Sequence, residues 1–324
     1  MKVLVTGAGG FLGLYIVEQL VARGDRVRAL VRRPVEALDR LGVESVYGDI
    51  REASAVEAAC AEQDVVIHAA AVAGIWGAWD HFYGINTLGT RHVLAGCRWH
   101  GVPRLVYTSS PSVTFSGEDQ EGVDESAPYP ARWLCHYQHT KALAEQEVLA
   151  ANSAALATCS LRPHLIWGPR DRHLVPRLLD RARCGQLRRV GDGTNRIDMV
   201  HVENAARAHL LAADVLAPNS IAAGRAYFIS NSEPVNCWQF IDQLLARAGL
   251  PPVRRSISTL AAWRIGATME AGYRLLRLPG EPRMTRFLAA QLGRSHWFDI
   301  TRARAELGYA PEISMSAGLE GLVV

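Results

Sequence analysis

An α/β fold, built on a doubly wound parallel sheet with a smaller, mainly helical second lobe, is what this sequence predicts, and three observations predict it. Short β-rich runs alternate with helical patterns over the first 110 residues. Those runs are apolar throughout rather than alternating, the pattern of strands covered on both faces. A glycine-rich segment, Thr6-Gly-Ala-Gly-Gly-Phe-Leu-Gly13, sits where the first strand gives way to the first helix. That strand–loop–helix context opens many doubly wound sheets.

In chain order, the expected strands are Val3 to Val5, Val27 to Val31, Ser45 to Tyr47, Val65 to Ile67, Leu105 to Ser109 and Ala157 to Leu161. Helical patterns fill the gaps at Leu12 to Arg23, Ala53 to Glu62 and His81 to His100, and a further helix carries Tyr137 and Lys141. After Pro163 the regularity breaks, and prolines at 169, 176, 218, 234, 251, 252, 279, 282 and 311 punctuate shorter helical segments. We therefore expect a dinucleotide-binding domain over residues 1–165 and a discontinuous substrate-binding lobe over 166–324. Residues 197–230 return to the first domain as strand and helix, at Ile197 to Leu211 and Ala226 to Ser230.

Bulk properties narrow the class. A chain of 324 residues, 49% hydrophobic and 21% charged, has ordinary globular composition. The net charge of +3 is too small to argue for nucleic acid. The densest basic stretch, Arg162 to Arg196, is interrupted by Asp171, Asp180 and Asp192 and reads as a solvated face. Six cysteines without a CxxC pair suggest scattered reduced thiols, an intracellular (cytoplasmic) setting and no metal site. A strand begins at once at Lys2, which leaves no signal peptide, and no apolar run is long enough to span a bilayer.

Gly7, Gly10 and Gly13 lie at the spacing that lets backbone N–H groups approach a pyrophosphate at a helix N-terminus. Sites preferring NAD usually end the second strand on an acidic residue; here Val31 is followed by Arg32 and Arg33. A guanidinium can pair with a ribose 2′-phosphate, so NADPH is expected over NADH. Asp49 and Ile50, after the third strand, are placed to meet the adenine.

Tyr137 and Lys141 are four residues apart and share a helix face. An ammonium beside a phenol favours the phenolate, bringing the tyrosine toward the range of a working acid/base group. Ser110 precedes Tyr137 at the end of the fifth strand, the edge where open α/β sheets bind ligands. The expected roles are Ser110 on the substrate carbonyl oxygen, Tyr137 as proton donor or acceptor, and Lys141 tuning Tyr137 and holding the nicotinamide ribose. Ser109 competes with Ser110 for its role. Together with the glycine loop, the set points to a nicotinamide-dependent oxidoreductase.

On these motifs the chain resembles the extended short-chain dehydrogenase/reductases over essentially its whole length, which implies a Rossmann fold. Gly7, Gly10 and Gly13 match the family's glycine loop, and Ser110, Tyr137 and Lys141 match its triad. Asn86 matches a family asparagine, Arg162-Pro163 leads into a segment similar to the one that backs the nicotinamide, and Met199 to Asn204 matches a later signature. The resemblance implies cofactor contacts from Gly7, Gly10, Phe11, Leu12, Gly13, Arg32, Arg33, Asp49, Ile50, Ala69, Ala70, Tyr137, Lys141 and Pro163. Tyr107 to Val113, Arg162 to Pro169 and Trp297-Phe-Asp are most similar to the 3β-hydroxysteroid dehydrogenase branch, and within it to bacterial reductases of 2-alkyl-3-oxoalkanoates. The implied reaction is NADPH-dependent reduction of a long-chain β-keto acid. Oxidation of a 3β-hydroxysteroid or sterol-4α-carboxylate is the nearest alternative. Sugar-nucleotide epimerisation or dehydration is the next, although Pro111 and Ser112 after Ser110 argue against a dehydratase.

On the substrate side, Trp76, Trp79, Phe115, Trp133 and Trp167 are expected in loops at the carboxyl edge, suiting a hydrophobic substrate. His164 and Arg170 are candidates for a substrate carboxylate, with Arg132 and Arg172 not distinguished from them. In residues 261–278, Ala261, Ile265, Met269, Tyr273 and Leu276 share a face, which reads as a lobe helix or as a docking surface for a membrane or partner enzyme. A homodimer is expected from the family.

Overall fold

The computed structural model describes residues 1–322. Seven strands form the central sheet: β1 (Lys2–Thr6), β2 (Arg26–Val31), β3 (Glu44–Tyr47), β4 (Val65–His68), β5 (Arg104–Thr108), β6 (Ala157–Pro163) and β7 (Arg225–Ile229). Their spatial order is β7-β6-β5-β4-β1-β2-β3, every pairing parallel. The chain direction of winding reverses between β1 and β4, which opens a crevice at the carboxyl ends of those strands.

The continuous apolar runs have a simple cause. β4 and β6 are buried along their full length, because helices cover both faces of the sheet. On one face, helix Phe11–Ala22 packs on helix Val202–Val215, whose alanines 205, 208 and 212 permit close approach. On the other, helices Ala53–Cys60, Gly89–Trp99 and His136–Ala150 bury Val56, Val93, Leu94, Ala144 and Val148 against Leu4, Val66 and Leu105.

Two regions differ from expectation. The helix anticipated over 81–100 is three pieces: an α-turn at Trp79–Phe82, a π-helical turn at Tyr83–Leu88 and an α-helix at Gly89–Trp99. Asn86 explains the widening, since its side chain is turned back to bond both the N–H and the C=O of Val72, at 2.9 and 3.1 Å. Of 197–230, helix Val202–Val215 and strand β7 lie on the main sheet, whereas Arg196–Ile197 pairs within the second lobe. There it joins Val235–Asn236, His296–Phe298 and Gln120–Val123 in a small sheet, so a segment from the first half of the chain completes the lobe. Its helices are Leu174–Arg183, Cys237–Arg247, Thr259–Leu275, Arg286–Gly293 and Met315–Glu320.

Candidate active site

The glycine loop leaves no room for side chains. Gly7 has φ +72°, and a Cβ there would lie 2.7 Å from the Ala70 nitrogen; a Cβ on Gly13 would lie 2.1 Å from the Gly7 carbonyl oxygen. Helix Phe11–Ala22 begins at Gly10 with no side-chain cap and no acidic residue in its first turn. Its free N–H groups and positive dipole end therefore face the crevice, a fit for a pyrophosphate.

The crevice is a cleft of about 420 Å³ lined by Gly7, Gly10, Phe11, Leu12, Gly13, Ala69, Ser109, Ser110, Tyr137, Lys141 and Pro163. Ser110 lies two residues beyond β5 and caps the short 3₁₀ turn Pro111–Thr114, and its Oγ accepts from the Ser112 N–H at 3.2 Å and the Ser112 hydroxyl at 2.9 Å. With both lone pairs engaged, the Ser110 hydrogen is left to be donated into the cleft. The competing Ser109 hydroxyl is buried without a hydrogen-bond partner. Burial raises the Tyr137 phenol above its usual range, while the Ser110 hydroxyl beside it pulls the other way.

Lys141 is almost fully buried, and burial brings its ammonium down to about 7, against the opposing pull of Glu145. Its Nζ donates to the Thr108 carbonyl and lies 4.2 Å from the centre of the Tyr107 ring. Contrary to expectation, Lys141 is not among the groups that shift Tyr137; burial is the first cause. One turn beyond, the buried Glu145 accepts from Arg162 at 2.7 Å, Ser160 at 2.8 Å and Tyr129 at 2.8 Å. A second buried chain reaches the glycine-loop strand. The Thr90 hydroxyl donates to the Asn86 carbonyl, so His68 Nε2–H must donate to Thr90 and His68 Nδ1 accept from Thr6.

Other candidates lie elsewhere. Arg32 and Arg33 are exposed beyond β2, outside the cleft lining, with Arg32 close enough to help hold Asp49 at about 2. Arg51 is the first cause of that shift, because it takes Asp49 in two side-chain hydrogen bonds. Ile50 is buried in the core under Gly89 and does not line the cleft. Ala70 sits beneath the loop, donating to Thr6 Oγ1.

The aromatic expectation fails for all four tryptophans. Trp79 stacks on Tyr83, Trp133 on His139, Trp76 meets Tyr273 edge-on, and Trp167 is buried against His201 and Phe240. Each packs its own neighbourhood, and among the five residues only Phe115 lines the cleft. The aromatic wall comes from Phe11, Phe115, Phe287 and Phe298, with Gln120, His164, Gln291 and His296 as its polar members. Phe287, Gln291, His296 and Phe298 were missed because only the lobe's small sheet and one lobe helix carry them here. Arg170 is engaged elsewhere, pairing with Glu18 at 2.7 Å and lying over Tyr15; Arg132 and Arg172 are exposed.

Helix Thr259–Leu275 buries Ala262, Gly266 and Glu270, one position round from the expected face, since Gly266 rests against the Thr285 backbone. Leu275, Leu276 and Leu278 are exposed. No helix among the described residues is long and apolar enough to cross a membrane. No His, Cys, Asp and Glu cluster suited to a metal occurs among them, and the six cysteines are free.

This geometry agrees with what comparison with known proteins finds. The model of the 3-beta hydroxysteroid dehydrogenase/isomerase family matches residues 4–259. The chain belongs to that family. It is an NAD(P)-dependent oxidoreductase of the extended short-chain dehydrogenase/reductase type. It is 50% identical to a 2-alkyl-3-oxoalkanoate reductase of Stenotrophomonas maltophilia, over 99% of this chain and 98% of the relative. A protein of the same name from Shewanella oneidensis is 44% identical, over 98% and 84%. Among solved structures, MoeE5 in complex with UDP-glucose and NAD superimposes with a TM-score of 0.76 at 26% identity, covering 99% of this chain and 97% of that one.

Proposed function

We propose that this 3-beta hydroxysteroid dehydrogenase/isomerase family member uses NADPH to reduce the 3-oxo group of a long-chain 2-alkyl-3-oxoalkanoic acid to the 3-hydroxy acid. The observation that carries the reading is half-identity over nearly the whole of both chains with the Stenotrophomonas reductase. The phenylalanine wall of the cleft supports a hydrocarbon-bearing substrate over a sugar nucleotide. Arg32 and Arg33, free at the end of β2 where an acidic residue would select NAD, support NADPH.

Bound NADPH supplies a hydride to the carbonyl carbon. The protein does the rest. Ser110, its lone pairs held by Ser112, donates to the substrate carbonyl oxygen and stabilises the charge that grows there. The half-buried Tyr137 phenol is kept protonated at neutral pH, the state a reductase needs, and gives its proton to that same oxygen. Lys141, set by the Thr108 carbonyl and the Tyr107 face, would hold the nicotinamide ribose. The glycine loop would take the pyrophosphate, and Pro163, which lines the same cleft, would meet the nicotinamide.

The test is cofactor oxidation by purified protein, NADPH against NADH, with a 2-alkyl-3-oxo fatty acid. Fast NADPH consumption yielding the 3-hydroxy acid is expected. No consumption, with NAD(P)⁺ reduced instead by a 3β-hydroxysteroid, would move the function to sterol oxidation.

A further inference from the structure

Helix Thr259–Leu275 has two unlike sides. Its inner side buries Ala262, Gly266 and Glu270. A Cβ on Gly266 would lie 2.6 Å from the Thr285 backbone, so the helix is pressed against the chain entering helix Arg286–Gly293. That neighbour carries Phe287 and Gln291 into the cleft. Trp263 packs against the cluster of Phe115, Phe287 and Ala290, as does Ile75, and Phe115, Phe287 and Ile75 line the cleft. Further along, Tyr273 meets Trp76 edge-on and the Arg274 guanidinium lies 5.2 Å from the Trp76 ring. These contacts tie the helix to the loop that brings Ala73, Gly74 and Ile75 to the cleft. The helix thus backs one wall of the active site.

The outer side is apolar where it meets water. Of the nine large hydrophobic side chains exposed among the described residues, five lie here: Leu260, Ile265, Leu275, Leu276 and Leu278. Leu275 and Leu276 are 84% and 67% exposed. They sit on an ordered turn, because the Leu276 N–H donates to the Gly272 carbonyl at 2.9 Å and the Leu278 N–H to the Tyr273 carbonyl at 3.1 Å. Arg277 closes that turn at φ +49°, a left-handed position that glycine takes at less cost. Three leucines are therefore held outward with an arginine among them. The charge around them has one sign. Arg264, Arg274, Arg277 and Arg283 are exposed. The acids within residues 258–285 are Glu270 and Glu281. Glu270 is buried and bound by Arg286 at 2.7 Å, with Arg274 at 3.8 Å, and Glu281 pairs with Arg177.

We propose that this face docks the protein on an anionic bilayer surface. Leucines ringed by arginines without a free acid match a hydrocarbon layer under phosphate headgroups: the leucines enter the acyl boundary and the guanidinium groups stay at the level of the phosphates. A second copy of the chain is a poorer occupant, since a two-fold contact through this face would set arginines against arginines. Docking brings the cleft wall that the helix backs beside the layer in which a long-chain substrate dissolves. That purpose rests on the substrate class proposed above, whereas the docking itself does not.

The experiment sediments the purified full chain with vesicles of phosphatidylcholine alone, and of phosphatidylcholine and phosphatidylglycerol in equal parts, at about 0.1 M and about 0.5 M salt. The wild type should bind the anionic vesicles about tenfold or more tightly than the neutral ones, and lose most of that advantage at the higher salt. A variant combining Leu275→Ser, Leu276→Ser and Leu278→Ser should bind anionic vesicles about tenfold or more weakly. One combining Arg264→Gln, Arg277→Gln and Arg283→Gln should lose the preference for them. All six side chains are exposed, so urea midpoints close to the wild type are expected and show folding; should one variant fail to fold, the other decides. Absence of wild-type binding to either vesicle, or binding that the folded variants retain, would overturn the docking. So would a wild type that forms a larger oligomer than the leucine variant in the ultracentrifuge, which would give the face to a second copy. Sedimentation needs no turnover, so failure of the docking leaves the proposed reaction standing, and an inactive protein that binds anionic vesicles would overturn the reaction alone.

Discussion

Tyr137 and Lys141 share a helix face, yet their surroundings do opposite things to them. Burial keeps the phenol protonated and makes the ammonium easier to deprotonate, bringing Lys141 to about 7. Tyr137→Phe removes the proton donor and leaves the ring, so turnover should fall by about a thousandfold with NADPH affinity nearly unchanged. Turnover within tenfold of wild type would end the proposed role. Arg32 is proposed to meet the other end of the cofactor. Arg32→Ala should weaken NADPH binding by about tenfold or more and NADH much less, as expected for loss of a charge-assisted bond to the 2′-phosphate. Equal losses in two fluorescence titrations would refute it. The serine, tyrosine, lysine and glycines were legible because local backbone geometry places them. His296 and Gln120 were not, being distant in sequence and brought together by strand pairing.

At the scale of elements, helix His136–Ala150 is held by Glu145, whose carboxylate is buried among Arg162, Ser160 and Tyr129. Glu145→Gln would leave a buried guanidinium without its counter-charge, at a cost of about 3–5 kcal/mol near pH 7. The native carboxyl is held below its usual 4.5 chiefly by Arg162 against the opposing effect of burial. Such a group adds stability above pH 4.5 and loses it as pH falls through the native value, so the gap to the variant should close in acid. Urea denaturation of both proteins at pH 7 and pH 4 measures this, and an equal gap at both would count against the ion pair. The loop before helix Phe11–Ala22 is as tightly constrained. Gly13→Ala puts a methyl 2.1 Å from the Gly7 carbonyl, and the variant should lose cofactor binding. Undiminished NADPH affinity would show that the loop relaxes. The π-helical turn at Tyr83–Leu88 was hidden in the sequence, where the period reads as plain helix, because a side-chain bond from Asn86 to a distant loop creates it.

Across the whole molecule, four histidines among the described residues are buried and held neutral: His68 to about 3, His201 to about 4, His209 to about 4 and His296 to about 3, each first by desolvation. Unfolding returns them to about 6.5, so the unfolded chain binds more protons once the pH falls below that value. Stability should therefore drop on acidification, most steeply between about pH 6 and pH 4, by up to about 1.4 kcal/mol per pH unit for each histidine. A urea midpoint unchanged between pH 7 and pH 5 would refute this. By itself the sequence determined the parallel sheet, the glycine loop, Ser110 and the Tyr137–Lys141 pair, because each follows from periodicity or spacing within one or two neighbouring elements. Only the tertiary structure decided what lines the cleft. The tryptophans withdrew into their own loops, and the cleft wall was assembled from Gln120, His164, Phe287 and His296. Those residues come from four separate segments, and their meeting depends on the lobe's small sheet and helix packing against the ends of the main one, a long-range arrangement that no local pattern records.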